Sequence, residues 1–211
     1  MFKEHYPGIY VYENFLTDAE ISALFSYLDQ NSNEIDWDKS TEEFYRLYAV
    51  DAWPDDPDRR EQYIAKAIEN VRRANSSILA MPIDGSDLLL SIGKKLHFYG
   101  YADLTSKGLM GVIKRYTAGG YLGEHHDDET NKEIRSAINF YINDDYDGGE
   151  LYFKNQDILF RPKANSLVVF PGNIDYTHEV KPVIGDTPRY NITLTTKKPP
   201  LYFLDLVPYW S

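Results

Sequence analysis

Tyr116-Thr117-Ala118-Gly119-Gly120-Tyr121-Leu122-Gly123-Glu124-His125-His126-Asp127-Asp128 is the stretch on which the reading of this chain turns. Residues two apart on an extended strand project from the same face. One imidazole and one carboxylate placed that way offer two neighbouring corners of a metal site. The stretch holds two such pairs, His125 with Asp127 and His126 with Asp128, and periodicity does not choose between them. A third ligand from elsewhere would complete a two-His-one-carboxylate set, which leaves positions open on a non-haem Fe(II). A lone H-x-D in an acidic loop is more often solvated surface, so the weight falls on what the rest of the chain supplies.

The chain has 211 residues, enough for one domain spanning 1–211 with a sizeable core. Its formal net charge is -11, with Asp+Glu 33 against Lys+Arg 22, which disfavours a nucleic-acid partner. With Cys 0 there is no disulfide framework, thiolate nucleophile or Cys-ligated zinc. No apolar run approaches the ~18 residues of a membrane span, and Met1 to Pro7 lack the apolar core of a signal peptide, so a cytoplasmic protein without membrane contact is expected. Asn75-Ser76-Ser77 and Asn191-Ile192-Thr193 match glycosylation sequons, and without an export signal they are expected to be coincidental. The 18 tyrosines suit strands, or an aromatic-lined cleft.

Residues 8–16 predict a short strand. Thr17 follows as an N-cap with Glu20 closing a capping box, and Ile21, Leu24, Phe25 and Leu28 form the apolar stripe of a first helix. Residues 31–58 are polar and irregular, ending in the helix-breaking Trp53-Pro54-Asp55-Asp56-Pro57-Asp58. A second helix is predicted from Arg59 to Leu79, with Ile64, Ile68, Val71 and Ile78 on its buried face. Leu88 to Tyr99 reads as helix or strand. After Gly108 the pattern becomes short β-rich runs: Leu109–Tyr116, Ile134–Ile142, Glu150–Phe153, Ile158–Phe160, Ser166–Phe170, His178–Val183 and Tyr190–Thr196. Such runs between Gly, Asn, Asp and Pro clusters predict a sandwich or barrel, and helices that precede strands predict helical support for it.

The spacing of Tyr116, Gly119, Leu122, His125 and Asp127 resembles the Y-x-x-G-x-x-L-x-x-H-x-D signature of the Fe(II)/2-oxoglutarate-dependent dioxygenases, in their prolyl 4-hydroxylase-like branch. Asn139 to Phe153 is similar to the family's Y-L-N-x-x-x-x-G-G-E-L-x-F stretch, and Phe170 to Val183 to its F-P…H-x-V-x-P-V segment. Arg161-Pro162-Lys163-Ala164-Asn165-Ser166 resembles its P-x-x-G-S turn, with Asn165 where glycine is usual. The resemblance covers residues 109–196 well and 9–30 weakly.

The resemblance implies His125 and Asp127 as metal ligands, with His126 and Asp128 facing away, and His178 as the distal ligand. His5 and His97 lie outside the matched motifs. Arg189 then meets the far carboxylate of 2-oxoglutarate, for which its planar fork is suited. Tyr141 and Tyr116 are candidate hydroxyl partners of that co-substrate, and Asn191 stands where the family often has serine. The implied fold is mainly β with supporting α-helices: a double-stranded β-helix (jelly-roll) core over 109–196, preceded by a helical support region with an N-terminal strand over 1–108 and followed by a tail, 197–211. The implied cofactors are Fe(II), 2-oxoglutarate and O2, with ascorbate as an added reductant. The implied activity is hydroxylation of a substrate C–H bond with conversion of 2-oxoglutarate to succinate and CO2. A proline in a peptide or protein is the first substrate. The alternatives are a free amino acid, another side chain or a small metabolite, or a jelly roll that binds metal and 2-oxoglutarate without turnover. No catalytic residue beyond the metal and co-substrate ligands is required.

Overall fold

Leu167-Val168-Val169-Phe170 is apolar without alternation, the pattern of a strand buried on both faces. The computed structural model, which describes residues 3–30, 35–82, 88, 92, 109–129 and 132–196, puts that run at the middle of the protein. The elements in chain order are β1 (Lys3–Tyr6), β2 (Ile9–Glu13), α1 (Asp18–Gln30), α2 (Trp37–Ala52), α3 (Pro57–Arg73), β3 (Ser76–Pro82), β4 (Leu109–Tyr116), β5 (Leu122–His125), β6 (Ser136–Tyr141), β7 (Asp147–Gly148), β8 (Leu151–Phe153), β9 (Ile158–Phe160), β10 (Ser166–Pro171), β11 (His178–Val180), β12 (Val183–Ile184) and β13 (Arg189–Thr196). A seven-stranded sheet runs β1-β2-β10-β6-β13-β4-β3, a four-stranded sheet runs β5-β11-β8-β9, and β12 pairs with β7. This is the jelly roll with helical support that the resemblance implies.

Side chains from the two faces of β10 enter different cores. Val168 and Phe170 join Ile9, Tyr141, Leu151, Phe153 and Val180 between the two sheets. Leu167 and Val169 join Ile138, Phe140, Ile192, Leu194 and the α1 residues Leu24 and Leu28 on the other side. The capping box at α1 forms as predicted: the Thr17 amide donates to Glu20 Oε2 at 2.8 Å and the Glu20 amide to Thr17 Oγ1 at 3.3 Å. Phe25 departs from the predicted stripe and is exposed.

The second half of the support region differs from expectation. Residues 37–52 form a helix, α2, capped by Asp36 Oδ1 accepting from the Lys39 amide at 2.9 Å. Its inner positions, Trp37, Thr41 and Ala49, are too varied in chemistry to show as an aliphatic stripe. Thr41 Oγ1 accepts from the Ile78 amide at 2.9 Å, tying the helix to β3. The helix predicted to Leu79 stops at Arg73, because Asn75 turns into the left-handed region with φ 44 and the chain continues as β3. Ile78 is therefore a strand residue. The predicted Leu88–Tyr99 segment, with His97, and the 197–211 tail lie outside the described residues, apart from Leu88 and Ile92. The predicted strand at His178–Val183 is split into β11 and β12 at Lys181-Pro182, since proline has no amide to continue the ladder.

Candidate metal and co-substrate site

β5 ends at His125, and Asp127 opens a short 3-10 turn, Asp127–Glu129. The two residues therefore do not share one strand face. The turn, not the pleat, carries the carboxylate inward. The Asp128 amide donates to Gly172 O at 2.9 Å and fixes that turn. A Cβ on Gly172 would lie 2.8 Å from Ile134 and 3.4 Å from the Asp127 Cβ, so the close approach needs glycine.

His125 is the register partner of His178 across β5 and β11, and their rings lie 4.4 Å apart. Each ring binds a carbonyl through Nδ1: His125 to Gly123 O at 2.8 Å and His178 to Tyr176 O at 3.0 Å. A carbonyl only accepts, so each Nδ1 carries the proton and each Nε2 presents its lone pair. That is the orientation of a metal-ligating histidine. One donor atom from each of His125, Asp127 and His178 lies within 4.8 Å of the others. Asp127 Oδ2 is buried, 3.9 Å from His178 Nε2, and has no hydrogen-bond partner among the described residues. Burial drives the His178 pKa down to about 4 against the pull of Asp127, which keeps the imidazole neutral and available as a donor. Two imidazoles, each held by a carbonyl at Nδ1, and an orphaned buried carboxylate oxygen fit a divalent metal of the Fe(II) kind.

The alternative pair is already engaged. His126 Nδ1 lies 2.6 Å from Asp128 Oδ1, and Lys132 Nζ approaches the same oxygen at 3.3 Å. His126 Nε2 is also 3.5 Å from Glu129. These four form a polar cluster beside the triad.

The three triad residues open onto a small cavity of about 30 Å³. Its far wall is the inner face of β4, β13 and β6. Arg189 pairs in register with Tyr116, Asn191 with both Lys114 and Tyr141, and Thr193 with Asn139. Arg189 is 1% exposed, and its guanidinium lies 5.0 Å from the rings of both Tyr116 and Tyr141. Nη1 donates to Asn191 Oδ1 at 2.7 Å, while Nε has no acceptor among the described residues. The Tyr141 and Tyr146 hydroxyls are also buried and, among the described residues, make no hydrogen bond of good geometry, although both lie close enough to Arg189 to feel it; burial raises both pKa values against the pull of the arginine. Asn191 Nδ2 donates to Asn139 at 3.1 Å and to Thr193 at 2.8 Å. A Cβ on Gly149, at φ 64, would lie 2.9 Å from Arg189 Cδ, so the double glycine both turns the chain and makes room for the arginine.

All seven residues singled out from the sequence thus line one cavity: His125, Asp127 and His178 on one wall, Arg189, Tyr141, Tyr116 and Asn191 on the other. Lys114, Asn139 and Thr193 join them and had not been singled out. Their signal was strand alternation: Arg189, Asn191 and Thr193 share a face two residues apart, as do Lys114 and Tyr116. Both sequon asparagines have structural partners instead: Asn191 is buried, and Asn75 Nδ2 donates to Ala118 O at 3.1 Å.

Over residues 111–196 the sequence matches the profile described as the 2OG-Fe(II) oxygenase superfamily. Three solved structures are similar. A prolyl-4-hydroxylase of Pseudomonas putida is 18% identical with a TM-score of 0.58, covering 90% of this chain and 93% of that one. A viral collagen prolyl hydroxylase from Paramecium Bursaria Chlorella virus-1, solved as a 2OG complex, is 14% identical with a TM-score of 0.56, covering 89% and 94%. A prolyl hydroxylase from Trichoplax adhaerens, in complex with a hypoxia inducible factor oxygen degradation domain peptide fragment, is 17% identical with a TM-score of 0.52, covering 91% and 84%. At these identities the likeness is one of fold. No curated protein sequence matches the chain. Among the described residues no helix is long and apolar enough to cross a membrane.

Proposed function

We propose that this chain is a 2OG-Fe(II) oxygenase, an enzyme that uses Fe(II), 2-oxoglutarate and O2, and that it hydroxylates a peptidyl proline, with His125, Asp127 and His178 as its metal ligands; the profile match over residues 111–196 supports the class. One observation carries the site assignment. Among the described residues Asp127 Oδ2 and Arg189 Nε are buried and unpartnered within one cavity, and a core seldom leaves atoms of acidic and basic side chains so.

Bound at the triad, Fe(II) supplies the O2 activation that couples decarboxylation of 2-oxoglutarate to oxygen insertion into a C–H bond. The chain's own residues bind, orient and exclude. His125 and His178 offer Nε2, each ring held by its Nδ1 hydrogen bond, and Asp127 offers Oδ2. Arg189 binds the far carboxylate of 2-oxoglutarate, with Tyr141 and Tyr116 flanking it and Asn191 holding the guanidinium in plane. Leu122, Leu151 and Val180 are the apolar residues lining the space between the two walls. The proline is supported by the fold shared with three prolyl hydroxylases and by the matched motifs of that branch.

The test is incubation with Fe(II), 2-oxoglutarate, ascorbate and a panel of proline-containing peptides. Succinate should form, and a peptide should gain the mass of one oxygen atom. Succinate with oxygen gain only on free amino acids or metabolites would move the substrate class. No succinate under any condition would leave a binding protein.

A further inference from the structure

Lys114 has the second positive side chain in the cavity, and nothing in the site so far described uses it. It follows from β4 geometry: Lys114 shares a face with Tyr116, and its register partner is Asn191. Arg189, two residues before Asn191, is its diagonal neighbour, roughly 7–8 Å away and within reach of long side chains. The two cations are set differently. Arg189 is fully buried, in a frame of Asn191 and tyrosines. Lys114 is half-buried, lines the cavity and has no hydrogen bond or ion pair among the described residues.

Charge counting shows what is missing. The proposed contents are a divalent metal and 2-oxoglutarate with two carboxylates. With Asp127 and Arg189 these sum to zero. Lys114 leaves one positive charge over, and no acidic residue besides Asp127 lines the cavity among the described residues. A half-buried ammonium without a partner among the described residues, in a cavity that already holds Arg189, favours an anion there.

Resting on the oxygenase reading above, we propose that Lys114 is a specificity-determining residue that binds a carboxylate of the primary substrate. The substrate then carries an acid within a lysine's reach of the C–H bond attacked. Two sources share that chemistry, a terminal α-carboxylate on the target residue and an acidic side chain beside it in a peptide.

The experiment is calorimetric titration of Mn(II)-loaded, 2-oxoglutarate-saturated protein without O2, so that binding is read apart from turnover. The probes are two matched pairs. N-acetyl-L-proline against N-acetyl-L-prolinamide tests the terminal source. N-acetyl-Pro-Glu-amide against N-acetyl-Pro-Gln-amide tests the side-chain source. Wild type should bind the acidic member of one pair about tenfold more tightly, the scale of one charge-assisted hydrogen bond. Lys114→Met, which keeps length without charge, should erase that preference and leave 2-oxoglutarate affinity within about twofold. Equal binding of both members by wild type, no binding of any probe, or a preference that survives in Lys114→Met overturns the proposal. So does a large loss of 2-oxoglutarate affinity in Lys114→Met, which would give the lysine to the co-substrate. Absence of 2-oxoglutarate binding by wild type overturns the oxygenase reading, and this proposal with it.

Discussion

β10 and β13 are central strands of the same sheet with opposite inner faces. On β10 the inward residues are Val168 and Phe170, packed dry against Phe153 and Leu151. On β13 they are Arg189, Asn191 and Thr193, facing Lys114, Tyr141 and the triad. Their outer faces are alike: Leu167 and Val169, Ile192 and Leu194, all in one core under α1. Since the outer faces are interchangeable in kind, the fold does not demand polarity on β13. Burying an arginine with an unpartnered Nε works against stability. The polar half is therefore a site built at the expense of packing, and the apolar half is the frame that keeps it rigid.

That contrast can be broken by substitutions in each half. The largest effect is expected at Asp127. Asp127→Ala should abolish Fe(II)-dependent succinate formation, whereas Asp128→Ala should keep most of it, because Asp128 pairs with His126 and Lys132 instead of facing the cavity. Next is Arg189. Arg189→Ala should weaken 2-oxoglutarate binding by about two to three orders of magnitude, as for a broken buried pair of roughly 3–5 kcal/mol. Fe(II) affinity should hardly change, and Arg189→Met should match or exceed wild type in thermal stability. Phe170→Ala should do the reverse. It should cost roughly 3–5 kcal/mol of stability by chemical denaturation, with 2-oxoglutarate affinity of the folded protein unchanged. The smallest effect is expected at Thr193→Val, which removes the hydroxyl that accepts from Asn191 at 2.8 Å and donates to Asn139 at 2.9 Å. It should cost about 1 kcal/mol or less than tenfold in co-substrate affinity, read from the same titration.

Much of the polar half was legible in the sequence, because its chemistry is local. His125, Asp127 and the Phe170–Val183 segment lie in short motifs, and Arg189 follows His178 on the next long strand. Asn165 was expected to tolerate a left-handed turn, and it does at φ 57. Its side chain adds what glycine lacks, bridging the amide and carbonyl of Leu16 at 2.8 Å each. What strand periodicity could not supply was the geometry of Asp127, which depends on a turn anchored by Gly172 forty-five residues away in sequence. Lys114 was hidden for the same reason. Its place in the cavity is a matter of register between β4 and β13, which no local motif encodes. α2 was missed because its buried face mixes Trp37, Thr41 and Ala49, and the end of α3 because one asparagine adopts positive φ.

The central claim is that the polar half of the interior holds Fe(II) and 2-oxoglutarate together. Anaerobic absorption spectroscopy tests it most directly, following the metal-to-ligand band as 2-oxoglutarate is added to Fe(II)-loaded protein. The account predicts a saturable band that needs both components, is lost in Asp127→Ala, persists in Asp128→Ala and shifts to far higher 2-oxoglutarate concentration in Arg189→Ala. A band that survives in Asp127→Ala and vanishes in Asp128→Ala, or no band in wild type, would contradict it.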